Sequence, residues 1–212
     1  MYKARTQTRG SIILTFLTIF LFTTAACIGR GQYVPIDKQS LKGWGKVYFI
    51  PVGDFPSSTT GDLIAHYKSK YGLQVETLPN LALKFSVVDT GRQQLIAEAL
   101  IALMKSAYPD LTNTPEAIMI GLTTEDMYIA QYSWQFTFSW RQEGKYAVVS
   151  NARMSLGAPL ISEEQVTARL RKMVTKNIGI LYYRLPQSNN PRSVLYKNVG
   201  GISELDEMGE EF

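Results

Sequence analysis

The hydrophobic pattern changes several times along the chain, and each change predicts an element. The short apolar run over residues 46–53, and the apolar residues with which the stretch 116–128 begins, are typical of strands buried on both faces. An alternating run over residues 73–79 predicts a further strand. Apolar residues at helical spacing predict helices over residues 57–72 and 92–109, each followed by a glycine or proline stop signal. The first half of the domain is therefore expected to alternate between strands and helices.

Strict alternation begins at residue 134 and indicates a different arrangement. One face of the run carries four aromatic side chains, and these are Trp134, Phe136, Phe138 and Trp140. A turn at "RQEG" leads into the apolar run of residues 145–154, so the two runs predict an antiparallel hairpin. The four aromatic residues are either part of the core or a partly exposed contact surface.

A long helix is predicted after the hairpin. The sequence "SEEQ" from Ser162 to Gln165 has the pattern of a capping box. Apolar residues then recur every three or four positions as far as Leu185, followed by polar turns and an acidic tail. The order of elements predicts a mixed α/β domain with a sheet and packed helices.

The N-terminal residues have the composition of an export signal. Lys3, Arg5 and Arg9 precede the uncharged run Ser11–Thr24, and the small-residue sequence "TTAAC" ends at Cys27. This ending resembles the lipobox of bacterial lipoproteins, in which the cysteine is lipidated and becomes the mature N-terminus. An uncleaved membrane anchor and ordinary secretion are the alternatives, since the run is near the lower length limit for a membrane span.

These observations predict three segments and a location in the cell envelope. We expect a signal peptide over residues 1–26, a lipidated Cys27 with a flexible tether over residues 27–45, and a domain over residues 46–212. The lipid would hold the protein on the extracytoplasmic side of a bacterial membrane, and two or more acyl chains make such anchoring stable.

The signal segment also accounts for the positive charge of the chain. Three of its 22 Lys and Arg residues lie there with no acidic residue, which leaves 22 − 3 = 19 basic against 18 acidic residues. This balance gives no support for a nucleic-acid partner. Cys27 is the one cysteine, so its lipidation would leave no thiol for a disulfide or a metal site.

Six stretches together resemble one family. The stretches "VYFIPVG", "LQVETLP", "GRQQLIAEALIALM", "IGLTTEDMY", "AVVSNARM" and "RLRK" occur in the order and spacing of archaemetzincins, small zinc metallopeptidases of the metzincin class. The resemblance covers roughly residues 46–212. It implies a mixed twisted sheet with packed helices, and a long active-site helix that leads into a tight turn under the metal.

The zinc-binding motif of that family is replaced here. The family segment after "RxxK" reads His-Glu-x-x-His-x-x-Gly-x-x-His-Cys, in which two histidines share one helix face beside a general-base glutamate. Its positions fall, in order, on Lys176, Asn177, Ile180, Tyr183, Pro186 and Gln187. In the later Cys-x-Met turn, the cysteine position falls on Arg192 or Ser193 and the methionine position on Val194 or Leu195.

Few other residues are candidates for chemistry. His66 is the only histidine, and it lies on an early helix near Lys68 and Lys70, where we expect a surface or partly buried role. We expect Lys176 to be a solvated charge at the edge of a cleft, the alternative being a buried nucleophile with a depressed pKa. Ile180 and Tyr183 are expected to form the floor of that cleft.

The leading hypothesis is a lipid-anchored protein of archaemetzincin fold without zinc, cofactor or peptidase activity. The former cleft would bind a peptide or protein through backbone pairing with an edge strand, which needs no metal. One alternative is a residual zinc-dependent metallopeptidase, or another hydrolase, with unrecognised catalytic residues. Another is a structural scaffold of the cell envelope.

Overall fold

A computed structural model describes residues 36–37, 40–157 and 160–212. The predicted signal peptide and Cys27 lie outside the described residues. The elements are β1 (Lys46–Val52), α1 (Ser57–Tyr71), β2 (Val75–Thr77), a 3-10 turn (Phe85–Val87), β3 (Val88–Asp89), β4 (Gln94–Ile96), α2 (Ala97–Ala107), α3 (Pro109–Thr112), β5 (Ala117–Thr123), β6 (Met127–Tyr128), β7 (Ser139–Gln142), β8 (Tyr146–Ser150), α4 (Glu163–Leu181) and α5 (Ile202–Glu207).

The main sheet has five strands in the order β2-β1-β5-β8-β7. Its first four strands are parallel, and β7 pairs antiparallel with β8. A small second sheet has the order β3-β4-β6. The predicted mixed α/β fold and the predicted hairpin are confirmed, and the topology leaves β7 as an edge strand of the main sheet.

Both faces of the main sheet are covered, as the apolar runs predict. In β1, Phe49 packs in the core on one face of the sheet and Ile50 packs in the core on the other. In β5, Ile120 and Met119 divide between the two cores in the same way. Leu170 and Val174 of α4 belong to the first core, and Leu100 of α2 belongs to the second, so the sheet lies between these helices.

Helix α4 begins at the predicted capping box. The Ser162 hydroxyl accepts a hydrogen bond from the Gln165 N–H at 3.2 Å, and the Gln165 side chain accepts one from the Ser162 N–H at 3.1 Å. The helix ends at Leu181, earlier than the apolar stripe suggests. The chain reverses at Arg184, whose φ of 56° lies in the left-handed region. The Leu185 N–H then donates to the Gly179 carbonyl at 2.9 Å, which closes the turn.

The predicted helix over residues 92–109 is shorter than expected. Gln94–Ile96 forms β4, because Leu95 pairs with Met127 and the Gln94 side chain donates to the Asp126 carboxylate at 2.8 Å. At the other end, Pro109 starts the separate helix α3, since proline suits a first helical position but not a helix interior. The predicted strand over residues 73–79 is also shorter, at Val75–Thr77.

The aromatic strand is only partly formed. Residues 134–138 lie outside any strand, and β7 begins at Ser139. Phe138 is buried in the first core, whereas Trp134 is 55% exposed and stacks on Tyr132 at 4.7 Å between ring centroids. The four aromatic side chains therefore do not share one environment, since Phe136 and Trp140 are half-buried.

The described end of the predicted tether contacts the domain. Leu41 packs against the first core, and the Trp44 N–H donates to the Tyr182 carbonyl at 2.8 Å. The Arg184 guanidinium lies over the Trp44 ring at 4.1 Å. The tether predicted over residues 27–45 therefore does not run free as far as Lys46, because its apolar residues gain burial against the end of α4.

The acidic tail is more ordered than a solvated charge run. It contains α5, and the Asp206 carboxylate accepts two hydrogen bonds from Arg169, both at 2.7 Å. Phe212 is buried against Tyr71 and Tyr183. Among the helices of the described residues, none is long and apolar enough to cross a membrane.

Candidate functional site

A cleft of about 720 Å³ lies beside the edge of the main sheet. One wall is residues 134–141, which lead into β7, and the other is residues 197–200 with Gln187 and Glu204. Met173 and Lys176 of α4 form the floor. Volumes of roughly 300–1,000 Å³ are typical of ligand-binding clefts. The long helix and the edge strand thus frame one site.

Lys176 is buried in this floor, and the expectation of a solvated charge is wrong. Its side chain is 3% exposed, and its Nζ donates a hydrogen bond to the Tyr196 carbonyl. Burial, together with the nearby positive charge of Arg141, lowers the pKa of the Lys176 ammonium to about 7. The reason is the segment around Tyr196, which covers this face of α4.

Asn177 occupies the position that the family resemblance assigns to the general base, and it is fully buried. Its Nδ2 donates to the Ser139 hydroxyl at 2.9 Å and to the Met173 carbonyl at 2.7 Å. Its Oδ1 accepts a hydrogen bond from Arg141 at 3.1 Å. The amide therefore links α4 to the edge strand, and its polar atoms are already used in holding the fold together.

Of the other positions that the resemblance assigns to the zinc motif, Ile180, Tyr183 and Pro186 do not line the cleft, whereas Gln187 does. Ile180 is half-buried against the first core, and Tyr183 packs edge-on to Phe212 at 5.4 Å between ring centroids. Pro186 is exposed, whereas the adjacent Gln187 lines the cleft. The expectation that Ile180 and Tyr183 form the cleft floor is wrong, because Lys176 and Met173 take that place.

The side chains at the replaced positions do not fit a zinc ion. Lys176 presents a donor group, and the Asn177 oxygen accepts from a guanidinium, whereas zinc requires lone pairs from histidine, cysteine or carboxylate. Across residues 36–37, 40–157 and 160–212, no three His, Cys, Asp or Glu side chains come together as a metal-binding group. At the later Cys-x-Met positions, Ser193, Val194 and Leu195 are buried, whereas Arg192 is exposed.

His66 has a packing role on α1. Its ring contacts Tyr67 edge-on at 5.1 Å and Tyr71 at 6.4 Å between ring centroids. Burial lowers the pKa of the His66 imidazole, and the positive charges of Lys70 and Arg171 act in the same direction. These contacts agree with the expected partly buried helix residue.

Sequence reasoning missed Arg141. It was assigned to the hairpin turn, yet it lies in β7, lines the cleft and is half-buried beside Asn177. Burial lowers the pKa of its guanidinium. A basic residue directly after the alternating aromatic run is a weak signal for such a position, because an arginine next to a turn is ordinarily solvated.

No protein-family model matches the chain, and no curated protein matches it. Several solved structures are similar to it. The archaemetzincin of Archaeoglobus fulgidus, complexed with malonate, is 20% identical over 79% of this chain and 94% of its own, with a TM-score of 0.62. The zinc-dependent peptidase of Methanocorpusculum labreanum is 16% identical over 78% and 95% of the two chains, with a TM-score of 0.63.

A further archaemetzincin, from Methanopyrus kandleri, is 22% identical over 85% of this chain and 92% of its own, with a TM-score of 0.61. The domain therefore has an archaemetzincin-like fold. At these identities the likeness establishes the fold alone, so the chemistry has to be argued from the residues of this cleft.

Proposed function

We propose that the protein is a metal-free, non-hydrolytic protein of archaemetzincin-like fold that holds an extended peptide in its cleft. The observation that carries the proposal is that Lys176 and Asn177 stand where the archaemetzincin motif has its first histidine and its general-base glutamate. The side chains at the first-ligand and base positions bond to Tyr196, Arg141 and Ser139 of the protein itself. The cleft beside them remains open.

The edge strand supports a peptide as the ligand. β7 pairs with β8 on one side only, so every second residue directs its N–H and C=O away from the sheet. Ser139, Trp140 and Arg141 of this strand line the cleft. The Ser139 N–H and C=O already bond to the Thr137 hydroxyl. An extended peptide would pair with the outward backbone groups of β7 that remain, and would bring its side chains to the two walls.

Peptide capture is tested with a randomised peptide pool that carries a photo-crosslinker. We expect crosslinks to residues 134–141 and 197–200, and no cleaved peptide. A pool of the same composition with N-methylated backbones is the matched control, since it cannot donate hydrogen bonds to an edge strand. Equal capture of the methylated pool, or crosslinks spread over the surface, would contradict the proposal. Cleavage by the purified protein would favour a hydrolase.

The proposal includes a lipid anchor on Cys27 in the cell envelope. Its support is the sequence alone: the basic start, the uncharged run and the small-residue site that ends at this cysteine. We expect a palmitate analogue supplied to the cells to label the protein, and Cys27→Ser to lose that label and remain unprocessed. Membrane retention of the native protein without any label would instead indicate the uncleaved anchor.

A further inference from the structure

Three basic side chains of α4 are buried, and two of them have an obvious structural purpose. Arg169 donates to the Met154 and Leu156 carbonyls and pairs with Asp206 at 2.7 Å. Lys172 donates to the Leu205 and Asp206 carbonyls at 3.1 and 2.9 Å, and the negative charges of Glu210 and Asp206 favour its ammonium form. Both residues attach the C-terminal segment to α4 and have acidic neighbours.

Lys176, the third, lacks such a neighbour. The charged group that shifts the pKa of Lys176 is another cation, Arg141, which lowers it. Within the described part of the chain, the ion pairs include neither Lys176 nor Arg141. Besides these two, the charged residues of the cleft are Lys197 and Glu204, both on the far wall. Buried cations are ordinarily paired, so two neighbouring cations without an acid call for a partner from outside the chain.

We propose that Lys176 and Arg141 form a carboxylate-binding subsite in the cleft, and that its occupant is a carboxylate group of the bound peptide. The identity of the occupant rests on the peptide-binding function proposed above. A carboxylate accepts about four hydrogen bonds, and arginine and lysine are its preferred partners.

The donors needed for this role are present. Of the three N–H groups of the Lys176 ammonium, one is directed at the Tyr196 carbonyl. Arg141 uses Nη1 on Asn177, which fixes the orientation of its planar group and leaves its other N–H groups for a ligand. The Asn177 amide, held by Ser139 and Met173, acts as the positioning residue of the guanidinium.

Both donors lie on the α4 side of the sheet, since Arg141 bonds to Asn177 of that helix and Lys176 belongs to it. Side chains of a strand paired with β7 would stand roughly perpendicular to the sheet, on this side and on the opposite one. The end of the peptide and an acidic side chain of the peptide present the same carboxylate chemistry to the subsite, and the experiment distinguishes these two sources.

The subsite also predicts the direction of a pH dependence. A bound carboxylate favours the ammonium form of Lys176, whose pKa in the free protein is about 7. Above that pH the lysine is neutral before binding, so the complex must take up a proton and affinity falls. Between about pH 6 and about pH 9 the affinity for a carboxylate should therefore decrease, and Lys176→Met should remove most of this decrease.

The experiment uses the full chain in detergent and the fluorescence of Trp134 and Trp140, which line the cleft. The probe is a short acetylated threonine–alanine peptide, as the free acid and as the C-terminal amide, at about pH 6. We expect the free acid to bind about tenfold or more tightly than the amide, because charge-assisted hydrogen bonds are lost in the amide. Lys176→Met and Arg141→Gln should each reduce this preference severalfold or more.

Lys84→Met is the matched control, since it removes an exposed lysine outside the cleft, and it should keep the full preference. Thermal unfolding of each variant establishes that it is folded. An amidated peptide with an internal glutamate that binds as tightly as the free acid would assign the subsite to side-chain carboxylates. Equal binding of the free acid, the plain amide and the internal-glutamate peptide by the native protein would overturn the subsite while leaving peptide binding intact.

A second arm does not depend on peptide binding. Sodium acetate, compared with sodium chloride and inorganic phosphate at matched ionic strength, should raise the unfolding temperature of the native protein. The two cleft variants should respond to acetate and chloride alike. If the peptides do not bind but acetate does, the proposed function fails and the carboxylate subsite stands. An acetate response identical to chloride, or one retained in both variants, would overturn the subsite.

Discussion

Gly179→Ala is expected to lower the free energy of unfolding by about 2 kcal/mol or more, although alanine is the better helix former. Gly179 is buried within α4. A Cβ at this position would lie 2.4 Å from the Phe212 ring and 2.7 Å from the Leu195 side chain. Forcing extra volume into a packed core costs typically about 1–3 kcal/mol.

The surrounding side chains have little room to yield. Phe212 is 1% exposed, and its ring lies between Tyr71 at 5.3 Å and Tyr183 at 5.4 Å. Leu195 is buried in the same core. Relief of the clash would therefore require displacement of the C-terminal segment from the helix, and the cost should exceed the gain of up to about 1 kcal/mol in helix propensity.

Gly61→Ala provides the matched control. Gly61 is exposed in α1, and no atom lies within 4 Å of the Cβ it would gain. That substitution should raise stability by about 0.5–1 kcal/mol. Chemical denaturation of the two variants next to the native protein measures both effects. If Gly179→Ala proves neutral or stabilising, Phe212 does not pack on this helix as described.

The helix and the sheet were predictable from the sequence because local patterns determine them. The capping box at Ser162 and the apolar spacing behind it need only neighbouring residues, and α4 begins where they indicate. The apolar residues at the start of the stretch 116–128 likewise predict β5, which lies at the centre of the sheet with every residue buried. The resemblance to archaemetzincins correctly implied the fold.

The cleft was less predictable because distant segments determine it. The burial of Lys176 depends on Tyr196, twenty positions later, and no periodicity around Lys176 records that contact. The sequence predicts Arg141 to be a turn residue, whereas the structure places it in β7, paired with β8. The positions that the resemblance assigns to the zinc ligands can be read from the sequence, whereas the hydrogen bonds of their side chains cannot.

We also expect the protein not to bind zinc stoichiometrically. The Lys176 ammonium donates to a carbonyl, and the Asn177 oxygen is engaged by Arg141, so neither side chain offers free lone pairs to a metal. Ile180 packs against the core, and Pro186 is exposed on the following turn. Stoichiometric zinc would require a ligand set that these contacts do not provide.

Introducing the motif residues of archaemetzincins into this chain should restore little zinc binding. A variant with Lys176→His, Asn177→Glu, Ile180→His and Pro186→His should bind zinc weakly at most. A glutamate at position 177 would lie beside the Arg141 guanidinium, which would hold it as an ion pair and reduce its basicity. The hydrogen bonds that orient histidine ligands would also be missing, and their loss typically lowers metal affinity by about 10–100-fold.

The most direct test is the zinc content of the native protein after expression in zinc-supplemented medium and dialysis against micromolar zinc. The zinc-dependent peptidase of Methanocorpusculum labreanum, carried through the same steps, serves as the positive control. We expect the control to retain its zinc and this protein to contain zinc only at the background level of the buffer. One tightly held zinc ion per chain would contradict the proposal that the fold has been kept without its metal.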